Sequence, residues 1–365
     1  VVDEASMVDL EMMQALLQAL PPHARLVLLG DKDQLASVEA GAVLGELCRR
    51  ADAGHYDSAT VQWLRASTGQ QPPPALCDAQ GQPLDQAIAM LRVSHRFTAQ
   101  SGIGQLARAV NEGDARGARA LLARGLDDLR HCAVKAVPGI GLVGDALRSM
   151  ILADDVKDAG DSDSDSDSDS GSGLGLGVGA GAGADLGSGA GAGSAAPGPG
   201  RAQPVGTAHY LRLMRDTRPA PQAARAEWDA WAARLLQAAG RFQLLCALRD
   251  GPWGVSGLNA TVAEVLRETG WLQGTQGWFA GRPVLVTRND HALGLMNGDV
   301  GLVLDRPAHF DDVTGLPDTQ AGFARRVAFA AADGSGGVRW VLPARLSAVE
   351  TVFAMTVHKS QGSEF

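Results

Sequence analysis

The sequence predicts an α/β protein with a parallel sheet and a smaller all-β part near its end, and two patterns predict it. Short apolar runs that end in acids, "VVDE" (1–4) and "RLVLLGD" (25–31), flank a helical segment. Such runs are typical of buried parallel strands, and the order strand, helix, strand forms a right-handed βαβ unit. From Pro283 onward, short apolar runs alternate with Asn-Gly and Asp-Gly turns, which predicts a small antiparallel barrel over residues 295–347.

Three segments predict helices. "MVDLEMMQALLQAL" (7–20) and "WDAWAARLLQAAG" (228–240) have apolar residues at helical spacing, and in the second of these Trp228 and Trp231 are expected in the core. "SGIGQLARAVNEGD" (101–114) is amphipathic and ends at a glycine. One face of this helix carries Ile103, Leu106, Ala107 and Val110.

Two further strands are predicted in the second half of the chain. "RFQLLCAL" (241–248) is a short apolar run after a helix, and "TVFAMTVHKSQGSEF" (351–365) begins with a buried strand. With 365 residues, the chain has enough length for two or three domains with cores of their own.

Residues 154–205 are predicted to be a disordered insertion. Their "DSDSDSDSDS" and Gly-rich repeats contain no aromatic residue and no large apolar face that would offset the entropy of ordering. An acidic mimic of DNA is the functional alternative to a solvated linker. Residues 154–170 carry −7 of the net charge of −9, so the rest of the chain is close to neutral. A local basic groove is therefore compatible with the composition, and nucleic acid is not excluded as a partner.

The composition also indicates in which cellular compartment the protein is expected. No apolar run approaches the roughly 18 residues that a membrane span needs, so no membrane association is expected. The four cysteines are far apart and form no CxxC pair, which is the pattern of a cytoplasmic protein with reduced thiols and disfavours a zinc site.

Asp3 and Glu4 are candidate catalytic residues. In a parallel sheet, ligands bind beyond the carboxyl ends of the strands, where these two acids are placed. One carboxylate can hold Mg²⁺ and the next can orient and deprotonate a water, which is the logic of a nucleotide-hydrolysing site. The structural alternative is a pair of solvated acids at a helix start.

The second acid-ended strand strengthens this hypothesis. "LLGDKDQLASVEAG" (28–41) again ends in Gly30 and Asp31 and then offers Gln34, whose amide can bind a γ-phosphate or its attacking water. Gly30 and Gly41 allow tight backbone turns.

Four motifs in this order resemble those of superfamily 1 helicases. "VVDEASM" (1–7) resembles the DExx Walker B motif, "GDKDQLASVEAG" (30–41) motif III, "SHRF" (94–97) motif IV and "MTVHKSQGSEF" (355–365) motif V. Within that superfamily, "SHRFTAQSGIGQLARAVNEGD", "FQLLCALRDGPWGVSGLN" and "GRPVLVTRNDHALGLMNGDVG" resemble the RecD family, the α subunits of exodeoxyribonuclease V. The resemblance covers almost the whole chain except the insertion.

The resemblance implies a P-loop NTPase fold with RecA-like parallel sheets and a small inserted SH3-like β barrel. The implied domains are the C-terminal part of motor domain 1A (1–92), the start of motor domain 2A (93–153), the insertion (154–205), motor domain 2A continued (206–294), the SH3-like 2B insertion (295–347) and the end of motor domain 2A with motif V (348–365).

Carried onto this sequence, the resemblance assigns nucleotide roles. Asp3 would bind Mg²⁺, and Glu4 would be the general base. Gln34 would sense the γ-phosphate and Arg96 would be an arginine finger, since a guanidinium makes bidentate phosphate contacts that Lys does not reproduce. A surface salt bridge is the structural alternative for Arg96. The remaining nucleotide-binding positions are Gly30, Asp31, Gly362 and Glu364.

A second set of residues is expected to contact DNA. "TVHKSQG" offers hydroxyls, an imidazole and a cation at a strand end, groups that suit contact with the backbone of a single strand. The residues are Thr356, His358, Lys359 and Ser360. Arg288 and Asn289 of "VTRND" are also candidates, with a turn-forming role as the alternative.

The Walker A loop GxxxxGK[ST] is absent from the sequence, and the family's motif VI would follow Phe365. The chain is therefore expected to be a fragment that begins inside a core strand and that by itself binds ATP poorly.

The leading hypothesis is an ATP-dependent 5′–3′ DNA helicase subunit of the RecBCD complex, which acts in double-strand break repair. It implies ATP and Mg²⁺ as cofactors, and single-stranded DNA, DNA ends and the RecB and RecC subunits as partners. The alternatives are a stand-alone RecD-like or relaxase-associated helicase, a non-catalytic DNA-binding scaffold, and another P-loop ATPase without DNA work.

Overall fold

The computed structural model describes six stretches of the chain: residues 1–35, 43–93, 101–137, 141–153, 205–331 and 336–361. These stretches form two compact units, the first built mainly from Val1–Cys132 and the second mainly from Ala133–Ser360. The division falls later than the expected boundary between motor domains at 92/93. Because residues 94–100 lie outside the described part, that boundary stays a prediction. Arg96, Gly362, Glu364 and most of the insertion also lie outside the described residues, so the roles of these three residues and the disorder of the insertion stay predictions.

The described helices and strands have the following bounds. The helices are α1 Leu10–Ala19, α2 Val43–Leu47, α3 Ser58–Thr68, α4 Gly102–Asn111, α5 Ala115–Ala123, α6 Asp145–Leu152, α7 Thr207–Asp216, α8 Arg225–Ala239 and α9 Val255–Glu268. The strands are β1 Lys135–Val137, β2 Gly141–Val143, β3 Leu244–Cys246, β4 Pro283–Val286, β5 Val300–Pro307, β6 Phe323–Ala330, β7 Val338–Val341, β8 Val349–Thr351 and β9 Ala354–Thr356. No helix in these stretches is both long enough and apolar enough to cross a membrane.

The first unit opens with helix α1 in the predicted place, but each of the two predicted strands around it is reduced to a single bridged residue. Val2 and Leu28 form a parallel bridge, in which Val2 N donates to Val27 O at 2.8 Å and Leu29 N donates to Val2 O at 2.8 Å. Helix α1 lies between them in sequence and begins at Asp9, whose carboxylate accepts the Met12 N–H at 2.7 Å.

The expected burial of the second run was wrong for the described residues. Val27 is 45 % exposed and Leu29 is 49 % exposed. Within the described stretches this run is bridged only through Val2, so a single neighbouring segment covers it.

Helix α4 confirms the amphipathic helix predicted after residue 100. The Ser101 hydroxyl accepts the Gly104 N–H at 3.0 Å, and Gly113 follows the helix with a φ of 72°, the left-handed conformation that ends helices. On the predicted apolar face, Ile103, Ala107 and Val110 are exposed and Leu106 is half-buried, so the described residues do not cover that face; the buried Ala109 lies outside it.

The second unit has its core around helix α8. Trp228 and Trp231 are fully buried and meet edge to face with ring centroids 5.5 Å apart, which confirms their expected core role. Strands β3 and β9 pair in parallel, with Leu244 opposite Ala354 and Cys246 opposite Thr356. Both predicted strands therefore form, although they are shorter than the apolar runs that predict them.

The β-rich region forms a five-stranded antiparallel sheet in the order β7-β6-β5-β4-β8. The sheet runs from Pro283 to Thr351, so the predicted bounds of 295–347 were too narrow. The reason is that β4 belongs to this sheet: its four residues are buried and pair with both β5 and β8. The described residues show no pairing between the edge strands β7 and β8, so closure into a barrel stays a prediction.

Candidate functional site

The first candidate site begins where the chain leaves Val2. The Asp3 carboxylate is exposed and accepts the Glu4 N–H through Oδ1 at 2.9 Å. Glu4 has φ 52° and ψ 41°, a left-handed conformation that costs a residue with a side chain about 1–2 kcal/mol. Strained residues of this kind are frequent at functional sites. The strain turns the chain sharply just before a short helical turn over Ala5–Met7.

Gly30 brings the second strand end against this turn. Ala5 N donates to Leu29 O at 2.8 Å. A Cβ placed on Gly30 would lie 3.0 Å from Ala5 N and 3.2 Å from Ser6 N, closer than most side chains approach backbone. The two acid-ended segments therefore meet at one edge, and a side chain at residue 30 would have to displace its neighbours there by a few tenths of an ångström.

Asp31 and Gln34 lie in the loop that follows. The Asp31 carboxylate accepts the Asp33 N–H through Oδ1 at 3.0 Å and the Gln34 side-chain amide through Oδ2 at 3.3 Å. Both side chains are exposed. Lys32 is paired with Asp33 and Asp52, and the hydrogen bond to Asp33 raises the pKa of its ammonium. The loop thus presents an amide group whose orientation is set by a neighbouring carboxylate.

The second candidate site follows strand β9 in the second unit. Val357–Ser360 is one tight helical turn. The Thr356 hydroxyl oxygen accepts the Lys359 N–H at 3.3 Å, and the Ser360 hydroxyl donates to Val357 O at 2.7 Å. Two of the four predicted DNA contacts therefore shape the turn that carries His358 and Lys359.

Lys359 has a charged neighbour that the sequence did not indicate. Its ammonium lies 3.6 Å from one carboxylate oxygen of Glu350, and the Arg249 guanidinium lies 3.2 Å from the other. Arg249 follows β3 and Glu350 belongs to β8. Sequence reasoning missed both residues because they are 101 positions apart.

Asn259 of α9 fixes strand β9 and was also missed. Its Oδ1 accepts the N–H groups of Phe353 at 2.7 Å and Ala354 at 3.1 Å. Its Nδ2 donates to Val255 O at 2.8 Å and Ala354 O at 3.2 Å. A single amide side chain thus ties the helix to the strand that leads into the Val357–Ser360 turn.

Cys246 completes this packing as a structural thiol. Its Sγ donates to Leu248 O at 3.3 Å and to Met355 O at 3.4 Å. Burial raises the pKa of the thiol, which keeps it protonated at neutral pH.

Arg288 and Asn289 lie at the end of β4. The Asn289 side-chain oxygen accepts the Asn297 N–H at 2.7 Å across a hairpin closed by the pairing of Asp290 with Leu295. This bond favours the turn-forming alternative for Asn289. Arg288 is exposed and lines a cavity of about 160 Å³.

Comparison with known proteins first defines a class. A family profile described as an AAA domain matches residues 1–64, the part that carries Asp3, Glu4, Gly30 and Gln34. This match fits the mixed α/β architecture with parallel pairing.

Similarity over the whole chain then narrows the class. The RecBCD enzyme subunit RecD of Haemophilus influenzae is 31% identical over 370 residues, which cover 100% of this chain and 45% of that protein. The corresponding RecD subunit of Mycobacterium tuberculosis is 33% identical over 365 residues, 100% of this chain and 42% of that protein. An ATP-dependent RecD2 DNA helicase of Deinococcus radiodurans is 49% identical over 51 residues, 14% of this chain and 7% of that protein.

The chain is thus similar to RecD subunits over its whole length and to the AAA domain over its first 64 residues. The chain spans a little under half of the length of the RecD subunits that it matches.

Proposed function

We propose that the chain is the motor part of an ATP-dependent DNA helicase of the RecD type. In this proposal it moves 5′ to 3′ on single-stranded DNA, with RecB and RecC subunits, during recombinational repair of double-strand breaks. The sheet of β4–β8 would be the SH3-like domain and would close into a small barrel in the complete protein.

One observation carries the proposal: Gly30 packs against the turn that holds Asp3 and Glu4. This contact supports a nucleotide site because the carboxyl ends of parallel-paired segments are where α/β proteins bind their ligands. Glu4 would take the proton of the attacking water, and the Gln34 amide would orient that water or the γ-phosphate. Asp31 supports the role of Gln34 by holding its amide.

The donor set at this edge fits Mg²⁺. Mg²⁺ keeps several waters and takes only one or two carboxylates plus phosphate oxygens. Asp3 supplies an exposed carboxylate there, and no group of three or more His, Cys, Asp and Glu side chains among the described residues would enclose a metal alone. Asp3 would hold the ion, which when bound neutralises charge on the β- and γ-phosphates.

The DNA contacts are proposed for the turn after β9. Lys359 and His358 would meet strand phosphates, while Thr356 and Ser360 hold the turn in shape. Arg288 would extend this surface, and Asn289 would fix its loop. Arg96, Gly362 and Glu364 keep the phosphate and nucleotide roles that the family resemblance predicts.

Strand displacement by the complete protein tests the proposal. Partial duplexes with a 5′ or a 3′ single-stranded tail would be offered with ATP or with ADP. We expect unwinding of the 5′-tailed duplex, with ATP only. Tight binding of the tails without any unwinding would favour the scaffold alternative, and unwinding of the 3′-tailed duplex would contradict the direction.

Co-expression with the RecB and RecC subunits of the same genome tests the partner assignment. We expect a stable complex that contains the three chains in equal amounts. A chain that purifies alone and unwinds DNA at full rate would favour the stand-alone helicase instead.

A further inference from the structure

Two cations from adjacent strand ends meet on one carboxylate in the second unit. Arg249 comes three residues after β3, and Lys359 comes three residues after β9, the strand that pairs with β3 in parallel. The Arg249 guanidinium lies 3.2 Å from Glu350 Oε1, and the Lys359 ammonium lies 3.6 Å from Glu350 Oε2. Each carboxylate oxygen of Glu350 therefore pairs with a different cation.

The backbones of both cations are fixed, and their side chains are partly exposed. Arg249 O accepts the Ser256 N–H at 3.1 Å and the Ser256 hydroxyl at 3.2 Å. Lys359 N donates to the Thr356 hydroxyl oxygen. The side chains of Arg249, Glu350 and Lys359 are 64 %, 43 % and 28 % exposed. The cluster is thus positioned by the fold and accessible to a ligand.

The geometry matches what a phosphodiester would offer. A phosphodiester has two non-bridging oxygens that share one negative charge, and a carboxylate has the same charge on two oxygens. Exposed ion pairs contribute little to stability, so a ligand of the same charge can replace the carboxylate at small cost. An Arg and a Lys together are a frequent means of phosphate contact.

We propose that Glu350 is an internal competitor for a strand phosphate that Arg249 and Lys359 bind together. The inference rests on the proposed function and adds to it: Arg249 is a phosphate-contacting residue, and Glu350 sets how tightly the strand is held. When a phosphate leaves, Glu350 pairs with both cations again and offsets one of their two charges, which keeps the strand from being held too tightly to move.

The first test is strand affinity of the complete protein with Glu350→Gln. The probe is a labelled oligothymidine of about 15 nucleotides, measured without nucleotide at 0.1 M salt. We expect binding tighter by about 5-fold, the factor that one unit charge at about 4 Å contributes in water. The control is Glu268→Gln, which removes a carboxylate 48 % exposed and paired with Arg148 at 2.9 Å.

This control removes a carboxylate of the same charge and similar exposure that is paired with one arginine, but it is remote from the cluster. Glu268 ends the 14-residue helix α9, whose start is bonded to Arg249, so it is about 20 Å away along the helix. That is beyond the screening length of about 10 Å at 0.1 M salt. We expect no change in strand affinity for Glu268→Gln.

The second test is Arg249→Gln with Arg148→Gln as its control. We expect weaker strand binding for Arg249→Gln only, with the slope of log affinity against log salt reduced by about 1. In the double variant Arg249→Gln/Glu350→Gln, the gain from Glu350→Gln should shrink, because the two residues act on the same phosphate. Thermal unfolding of each variant verifies that it is folded.

The outcomes separate this inference from the proposed function. If the wild-type protein binds the strand and hydrolyses ATP in response to it, but Glu350→Gln and Arg249→Gln bind the strand like their controls, the inference is overturned and the function stands. If the wild-type protein does not bind the strand, both are overturned. If Glu350→Gln tightens a fluorescent ATP analogue instead of the oligothymidine, the phosphate belongs to the nucleotide and the strand assignment is overturned.

Discussion

Gly30 lies so close to Ala5 that a Cβ at residue 30 would be 3.0 Å from the Ala5 nitrogen. That nitrogen already donates to Leu29 O, one of the backbone hydrogen bonds that join the two acid-ended segments, so a shift of Ala5 would strain this bond. Glu4, the proposed base, directly precedes Ala5. The close approach of a glycine to a backbone nitrogen thus couples the second acid-ended segment to the position of Glu4, the proposed base.

Gly30→Ala is therefore expected to impair both stability and catalysis. The added methyl would press on the Leu44 side chain at 2.9 Å and on the Ala5 nitrogen at 3.0 Å. We expect this crowding to cost about 1–3 kcal/mol in free energy of unfolding and to lower ATP hydrolysis by displacing Glu4. Denaturant unfolding and steady-state hydrolysis measure the two effects. Gly240→Ala is the control, because its Cβ would meet only ordinary contacts at 3.5 Å and 3.7 Å. Equal behaviour of the two variants would contradict the proposed coupling.

Glu4→Gly is expected to raise stability while it removes activity. Glycine adopts the left-handed conformation of residue 4 without a steric penalty, so we expect a gain of up to about 1 kcal/mol in free energy of unfolding. Hydrolysis should be lost with the carboxylate. Glu11→Gly, in the first turn of α1, should instead lose about 1 kcal/mol. A clear loss of stability for Glu4→Gly would show that Glu4 is not strained in the folded protein.

Asn259→Ala is expected to loosen the strand before the Val357–Ser360 turn. The variant leaves the Phe353 and Ala354 N–H groups without their side-chain acceptor, at a cost of about 1–3 kcal/mol. Strand affinity should fall as well, because Lys359 follows this strand. Glu264→Ala on the exposed side of the same helix should cost less than about 1 kcal/mol and leave strand affinity unchanged. If the Asn259→Ala variant is measurably destabilised but binds the strand with unaltered affinity, Asn259 has a role in folding alone and the prediction is contradicted.

Asp128 is expected to make helix α4 sensitive to acid. Its carboxylate accepts the N–H groups of Ile103 at 3.2 Å and Gly102 at 2.9 Å. These bonds hold its pKa below the usual range, and the bond from Ile103 has the larger effect. A lowered pKa in the folded state gives stability that is present above the unfolded pKa and lost as pH falls through the folded one. We expect stability to decrease below about pH 4, and Asp128→Asn to lack this part of the decrease. Unfolding measured against pH, with Glu112→Gln as control, checks it; identical curves for wild type and Asp128→Asn would contradict it.

Local patterns in the sequence were enough to predict several of the helices and strands themselves. Apolar periodicity located α1, α4 and α8, and the burial of Trp228 and Trp231 followed from their helical spacing. The positions of the acids after Val2 and of the Gly30 loop could also be predicted, because the end of an apolar run is marked by the residues directly beside it in sequence.

Contacts between residues that are far apart in sequence could not be predicted from local patterns. Asn259 acts on Phe353 and Ala354, 94 and 95 positions away, and nothing in the local pattern of α9 marks it. Glu350 reads as one polar residue in a short strand until β3 and β9 bring Arg249 and Lys359 to it. The sheet bounds were too narrow for the same reason, since the membership of β4 depends on its two partners and not on its own apolar run.

We propose that Asp3, Glu4 and Gln34 form the hydrolytic centre of an ATP-driven motor whose hydrolysis is stimulated by DNA. ATP hydrolysis by the complete protein, with and without single-stranded DNA, beside Glu4→Gln, tests it most directly. We expect strong stimulation by DNA in the wild type and a loss of roughly 100-fold or more in the variant, the range for removing a general base. A folded, complete protein that hydrolyses no ATP even with its partner subunits, or a Glu4→Gln variant with wild-type rates, would contradict the claim.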